Sequence, residues 1–251
     1  MGQKNLSILT YNIHKGFGVG KVRFVLPEIK DVLQRLEPDF VFLQEVQGRN
    51  DRQKKRISDW PEEVQSDFIA TDVWQHTVYG KNAVYQSGHH GNAILSKYPL
   101  ISQENVNVSF LPRASRSLLH AVVDLSGKQV HLMCVHLGLF KEERIKQVAT
   151  LAERIKAHVP EEAPFILAGD FNDWRKDLPE SLETRLGLKE VMKEIEGDHA
   201  KSFPAITPAF QTDRIYYRGL NLESAECFKG KPWRSLSDHL PIYATFSLDM
   251  I

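Results

Sequence analysis

Six times along this chain an apolar run gives way at once to an acid, an amide or a histidine. The positions are Asn12, Glu45, His136, Asp170 with Asn172, Asp213, and the adjacent pair Asp238 and His239. A polar group that ends a buried strand is costly unless it has a partner. Several of them in one chain therefore point to mutual partnering around an ion or an anionic substrate. Only a fold that brings many strand ends to one place allows this.

The apolar runs supply such strands. Residues 6–11 and 39–44 read as buried strands, the second delivering Glu45 at its C-terminal end. Between them residues 22–36 carry Val25, Ile29, Val32, Leu33 and Leu36 at helical spacing and stop before Pro38. Strand, helix and strand in succession are the unit of α/β proteins, which place chemistry in loops at strand tips. Further strands are predicted at 93–95, 101–110, 117–125, 129–137, 165–168, 215–217, 222–227 and 242–248, with Gly127 turning one hairpin. The clearest helix is 141–158, apolar on one face, and 177–196 is also predicted helical. Without an internal repeat or low-complexity linker, residues 1–251 are expected to form one mixed α/β domain.

Composition narrows the function classes. Thirty-two basic and 32 acidic residues cancel, whereas proteins that grip long nucleic acid usually carry a basic surplus. Cys134 and Cys227 belong to no CxxC pair, so neither a zinc nor a disulfide framework is expected, and Cys134 reads as a buried inert thiol. Neither a secretion signal nor an apolar stretch near 18 residues is evident, so a cytoplasmic, monomeric protein without stable membrane insertion is expected.

The residue types suit phosphate-ester hydrolysis. A hard ion such as Mg²⁺ needs one or two carboxylates and keeps several waters. The ion, an imidazolium and amides can stabilise charge on phosphoryl oxygens, while a carboxylate orients or deprotonates the attacking water. A second acid behind a histidine fixes its tautomer and favours the cation. Taken singly, each such residue is as readily a helix cap or turn residue.

As an ordered set they are more specific. Thr10-Tyr11-Asn12, Leu43-Gln44-Glu45, Gly91-Asn92, His136-Leu137, Gly169-Asp170-Phe171-Asn172, Asp213-Arg214-Ile215 and Ser237-Asp238-His239 resemble, in order and across almost the whole chain, the endonuclease/exonuclease/phosphatase superfamily. Asn12-Ile13-His14-Lys15-Gly16, Gly88-His89-His90-Gly91-Asn92, Gly169-Asp170-Phe171-Asn172-Asp173-Trp174 and the stretch from Phe203-Pro204 to Asp213-Arg214-Ile215-Tyr216 resemble a narrower bacterial subgroup of it. The resemblance implies a four-layer sandwich, two packed mixed β-sheets flanked by helices, and a Mg²⁺- or Mn²⁺-dependent phosphoric ester hydrolase. It implies Glu45 as principal metal ligand, with Asn12 and Asp238 near metal and phosphate. Asp170 would activate water, Asn172 would bind phosphate, and His239 would meet the scissile phosphate with Asp213 behind it. His136 would assist the leaving group, which tilts the chemistry toward diesters, and Arg116 would contact phosphate.

The substrate stays open. Neutral charge favours a small or lipid-linked phosphodiester, with a phospholipid headgroup as one partner. The basic run Arg49 to Arg56 is the best support for a nuclease, although it also reads as a solvated loop. An inositol-type phosphomonoesterase and a non-catalytic binding module are the remaining alternatives. Of His89 and His90, adjacent on an extended segment, at most one faces the site; the other reading is a structural turn. His14 and Lys15 would contact an anionic headgroup or merely solvate their loop, and Trp174 would stack on a ligand or join the core.

Overall fold

Side-chain parity along the strands generates the architecture. In the computed structural model, which describes residues 2–110, 115–178 and 181–250, β1 (Gln3–Asn12) is followed by α1 (Leu26–Leu36), β2 (Phe40–Asn50), α2 (Asp51–Lys54) and α3 (Gln65–Ala70). The hairpin β3 (His76–Tyr85) and β4 (Gly88–Ser96) comes next. β5 (Leu100–Asn107), β6 (Ser117–Leu125) and β7 (Lys128–His136) lead to α4 (Lys141–His158) and β8 (Phe165–Asp170). Then come α5 (Ser181–Leu186), β9 (Lys189–Glu190), α6 (Val191–Glu196), β10 (Asp213–Arg218), β11 (Asn221–Cys227), α7 (Trp233–Leu236) and β12 (Ile242–Asp249).

The strands form two six-stranded mixed sheets, ordered β11-β12-β1-β2-β4-β3 and β5-β6-β7-β8-β10-β9. Among the described residues only β1–β2 and β7–β8 pair in parallel; the other pairings are antiparallel. Alternate residues of each strand face opposite sides. Leu6 and Ile8 of β1, Phe40 and Phe42 of β2, Leu132 and Cys134 of β7, and Ile166 and Ala168 of β8 meet in the core between the sheets. Their neighbours Leu9, Tyr11, Val41 and Leu43 pack outward on α1 and α3, while Met133, Val135, Phe165 and Leu167 pack on α4. Three apolar seams thus hold four layers, helix–sheet–sheet–helix, as expected.

Several element boundaries differ from the sequence prediction. Helix α1 begins at Leu26, with Pro27 in its first turn; residues 22–25 precede it, and Val22 is exposed. The 177–196 segment is two short helices broken at Gly187 (φ +61°), after which β9 pairs with β10. Strand β5 covers 100–107 and not 101–110, and the strand predicted at 93–95 starts at Gly88. β3 was not predicted: it is an edge strand with few buried residues, so its apolar signal is weak. The His89-His90 segment lies within β4, which removes the turn reading. Cys134 is fully buried, its thiol pushed up to about 12 by burial, as an inert core residue should be.

Phe42 is fully buried in the central seam. Replacing it with Ala should lower unfolding free energy by about 3–5 kcal/mol, measured by denaturant titration; a loss under about 1 kcal/mol would contradict the packing described.

Candidate active site

The inward parity that places Leu6, Ile8, Ile166 and Ala168 in the core continues to the strand ends, where the residue type changes. Asn12 and Gln44, paired across β1 and β2, share one level of the first sheet. His136, Asp170 and Asp213 share a level of the second, with His136 opposite Asp170 and Asp213 opposite Asp170. At this end the seam turns polar. Asn12 Nδ2 crosses between the sheets to donate to Asp170 Oδ2 at 3.1 Å.

Asp170 is the hub. Its Oδ1 accepts the Asn172 backbone N–H at 2.9 Å, and its Oδ2 lies 3.4 Å from His136 Nε2 and 3.8 Å from His239 Nε2. Asn172 is held at φ +50° while its Nδ2 donates to the Leu137 carbonyl at 2.9 Å. Gly169 beside it has no room for a side chain: a Cβ would lie 2.0 Å from the Val135 carbonyl oxygen. Burial raises the Asp170 carboxyl to about 7, although His239 pulls the other way.

His239 has the opposite balance. Burial alone would discharge it, but the carboxylates of Asp213 and Asp170 outweigh burial and push the imidazolium up to about 10. Its Nδ1 donates to Asp213 Oδ2 at 2.8 Å, an oxygen that also accepts from Ser202 Oγ at 2.6 Å and Thr212 Oγ1 at 2.8 Å. The Phe203 ring packs 4.8 Å from the imidazole, backed edge-on by Trp174. His136 has lost its charge: burial, reinforced by the Arg116 guanidinium, lowers it well below its ordinary value.

Glu45 reaches the site by a device the sequence did not suggest. β2 does not end at residue 44. It runs to Asn50, and between the Leu43–Ala93 and Val46–Gly91 pairs Gln44 and Glu45 together oppose the single residue Asn92. Parity alone would turn Glu45 outward beside Leu43; the bulge, with Glu45 at φ +55°, re-aims it. Glu45 Oε2 is buried without a hydrogen bond and lies 3.3 Å from Lys15 Nζ. Burial would raise its carboxyl, but the neighbouring positive charge, that of Lys15 foremost, holds it at about 2.

Lys15 owes its position to the loop after Asn12, where His14, Lys15 and Gly16 all have positive φ and the His14 N–H is taken by Asn12 Oδ1 at 3.1 Å. His14 Nδ1 faces Asp238 Oδ1 at 3.5 Å. His14 and Lys15 therefore belong to the constellation. Of the histidine pair, His90 lies within the fields of Glu45 and Arg116, whereas His89 turns away to Tyr79 Oη (3.0 Å) and the cleft over Gly48. Trp174 joins an aromatic cluster with Phe203 and Phe210. Ser202 and Thr212, which position the Asp213–His239 pair, escaped sequence reasoning, whereas Phe203 and Ser237, whose Oγ accepts the His239 backbone N–H, lay inside recognised motifs.

Residues 9–239 match the profile of the Endonuclease/Exonuclease/phosphatase family. The chain belongs to that family. Its members are hydrolytic phosphoesterases and nucleases that generally use divalent metals. Among relatives, YbhP of Escherichia coli (strain K12) is 40% identical over 248 residues, covering 98% of each chain. The UPF0294 protein VP2298 of Vibrio parahaemolyticus is 31% identical over 144 residues, 55% of this chain and 47% of its own. An endonuclease/exonuclease/phosphatase from Beutenbergia cavernae shares the fold at TM-score 0.78 and 21% identity, covering 97% of this chain and 72% of that one. D. rerio TDP2, solved with a single strand DNA product, shares it at TM-score 0.68 and 22% identity, covering 96% and 98%.

Members of the family generally use divalent metals, and two candidate places for an ion are present among the described residues, one of them a group of three side chains and the other the single carboxylate Glu45. Asp170, Asp213 and His239 place ligand atoms within 4.8 Å of one another. Asp170 and Asp213 Oδ2 are already engaged there, while Asp213 Oδ1 is buried without a hydrogen bond, and a protonated His239 repels a cation. Glu45 is ionised, and its buried Oε2 makes no hydrogen bond and faces only the more exposed Lys15 ammonium at 3.3 Å, a carboxylate that a hard cation suits.

In metal-free protein the His239 ring should stay protonated until pH approaches about 10. Because that value is raised, the stability from the Asp213 pairing is fully present below about 6.5 and is lost as pH rises through about 10. NMR titration of the His239 ring should show this, and Asp213→Asn should move the midpoint back toward neutrality. A wild-type midpoint below 7 would contradict the pairing.

Proposed function

We propose that this protein is a divalent-metal-dependent phosphodiesterase acting on a small or lipid-linked phosphodiester. The observation that carries the reading is the opposed charging of two touching groups, Asp170 raised to about 7 and His239 raised to about 10. A carboxylate near neutrality is matched to accept a proton from water, and a persistent imidazolium is matched to phosphoryl oxygens that gain charge. Asn172 Nδ2 and Asn12 add amide donors at the same level. His136, neutral in this environment, serves as a hydrogen-bond donor toward the leaving oxygen. Glu45, with Asn12 and Asp238, would hold the Mg²⁺ or Mn²⁺ ion, which when bound supplies Lewis-acid stabilisation of the phosphoryl charge. Arg116, within the fields of His136 and His90, adds a cation for the substrate phosphate.

The basic run gives limited support to nucleic acid. Arg49 pairs with Asp51 at 3.6 Å and Lys54 pairs with Glu62, so part of its charge is spent locally. Arg52, Lys55 and Arg56 stay exposed, which keeps a nuclease, the activity implied by the DNA product bound to D. rerio TDP2, as the second reading.

Turnover of an activated phosphodiester such as bis(p-nitrophenyl) phosphate should require Mg²⁺ or Mn²⁺ and stop with EDTA. Asp170→Asn and His239→Ala should each reduce it at least ~10²-fold with the circular dichroism spectrum retained. Near-normal rates in both variants, or undiminished rates in EDTA, would contradict the proposal.

A further inference from the structure

A cavity of about 320 Å³ opens beside Glu45, and apart from Lys15 and His90 its lining has no part in the chemistry described so far. Its wall comprises Lys15, Lys21, Asn50, Gln53, Tyr85 and His90, drawn from the left-handed loop after β1, from β2 with α2, and from the β3–β4 hairpin. Two of these residues tie it to the active site: Lys15, 3.3 Å from Glu45, and His90, which shares the fields of Glu45 and Arg116. A ligand in the cavity is therefore continuous with a phosphate at the metal centre.

The lining states what that ligand carries. Lys21 has no acidic partner among the described residues, so the cavity holds a cation with unspent charge beside Lys15. His90 Nδ1 is buried with no hydrogen-bond partner, and burial keeps the ring neutral at about 4. A neutral imidazole offers one donor and one acceptor, which suits a hydroxyl. The Gln53 side-chain amide makes no hydrogen bond among the described residues, while its backbone N–H is capped by Asn50 Oδ1 at 3.2 Å. Tyr85 Oη accepts from Gln47 Nε2 at 2.6 Å, which leaves its own proton free to donate. Phe17 supplies the one apolar wall. The volume lies at the lower end of ligand pockets, which run from roughly 300 to 1,000 Å³.

We propose that this cavity is the specificity subsite of the enzyme and takes a compact polyol or sugar carrying a phosphate of its own, next to the phosphodiester being cleaved. Lys15 and Lys21 bind the second phosphate, and His90, Gln53 and Tyr85 bind hydroxyls. The subsite rests on the phosphodiesterase reading for its role and on the cavity for its existence. The same polyol phosphate can arrive as a free metabolite or as a lipid headgroup.

Calorimetric titration of the full chain with sn-glycerol 3-phosphate in Mg²⁺ tests the cavity without any turnover. Binding should weaken about 10-fold or more in Lys21→Gln, the loss of one charge-assisted hydrogen bond, and by a smaller factor in Gln53→Ala. Lys30→Ala, which removes an ammonium seated over the Phe68 ring and absent from the cavity lining, should bind as wild type does. Glycerol and inorganic phosphate should each bind more weakly than glycerol 3-phosphate. Equal affinity in Lys21→Gln, or inorganic phosphate binding as tightly as glycerol 3-phosphate, would overturn the subsite, as would tetrathymidylate outcompeting it. Co-sedimentation with phosphatidylcholine vesicles containing phosphatidylglycerol phosphate, lost in Lys21→Gln, assigns the ligand to lipid; binding of glycerol 3-phosphate without co-sedimentation assigns it to a free metabolite. Lys21-dependent binding in a protein that hydrolyses no diester would sink the hydrolase and leave the cavity standing, whereas turnover without such binding would sink the cavity alone.

Discussion

Asn12 of one sheet and Asp170 of the other are joined by a hydrogen bond across the seam between them, at the level where that seam stops being apolar. Below this level the inward positions are Leu6, Ile8, Phe42, Cys134, Ile166 and Ala168, and apolar burial holds the sheets face to face, joined at its upper edge by the contacts of Cys134 Sγ with Leu43 O and Gln44 Nε2. At the level itself the same parity delivers Asn12, Gln44, His136, Asp170 and Asp213. The apolar layers beneath exclude water from the floor of the site. That dryness makes each polar partner count, because an unpaired carboxylate there would be expensive.

The electrostatics follow from this placement. Asp170 and His239 are buried side by side, yet burial wins at Asp170 and ion pairing wins at His239. The difference lies in the support behind each: Asp213, anchored by Ser202 and Thr212, stands behind His239, whereas Asp170 is surrounded mainly by neutral donors from Asn12 and Asn172. Glu45 occupies a third condition, ionised beside Lys15 with its buried Oε2 making no hydrogen bond. One small volume therefore holds a near-neutral base, a lasting cation and an anion free to exchange its partner. These are the three parts that metal-assisted attack on a phosphate ester requires.

The parity of the strands was legible in the sequence because alternation is local, and the same alternation points Asn12, Asp170 and Asp213 inward. The four layers followed from the resemblance and from the strand–helix–strand opening. What local pattern could not reveal depends on pairing. The bulge at Gln44 and Glu45 exists only relative to Asn92 on β4, and edge strand β3 lacks the apolar signal that would announce it. The left-handed loop of His14, Lys15 and Gly16 is invisible without coordinates, although Gly16 hints at it. Ser202 and Thr212 are ordinary loop residues until β10 brings Asp213 beside them.

The account stands or falls on the division of labour between Glu45 and the Asp170–Asp213–His239 group. Mn²⁺ binding followed by electron paramagnetic resonance, in wild type, Glu45→Gln and Asp213→Asn, separates the two directly. Glu45→Gln should lose most Mn²⁺ affinity while Asp213→Asn keeps nearly all of it. Retained affinity in Glu45→Gln together with loss in Asp213→Asn would place the ion on the buried Asp–Asp–His cluster and contradict the mechanism.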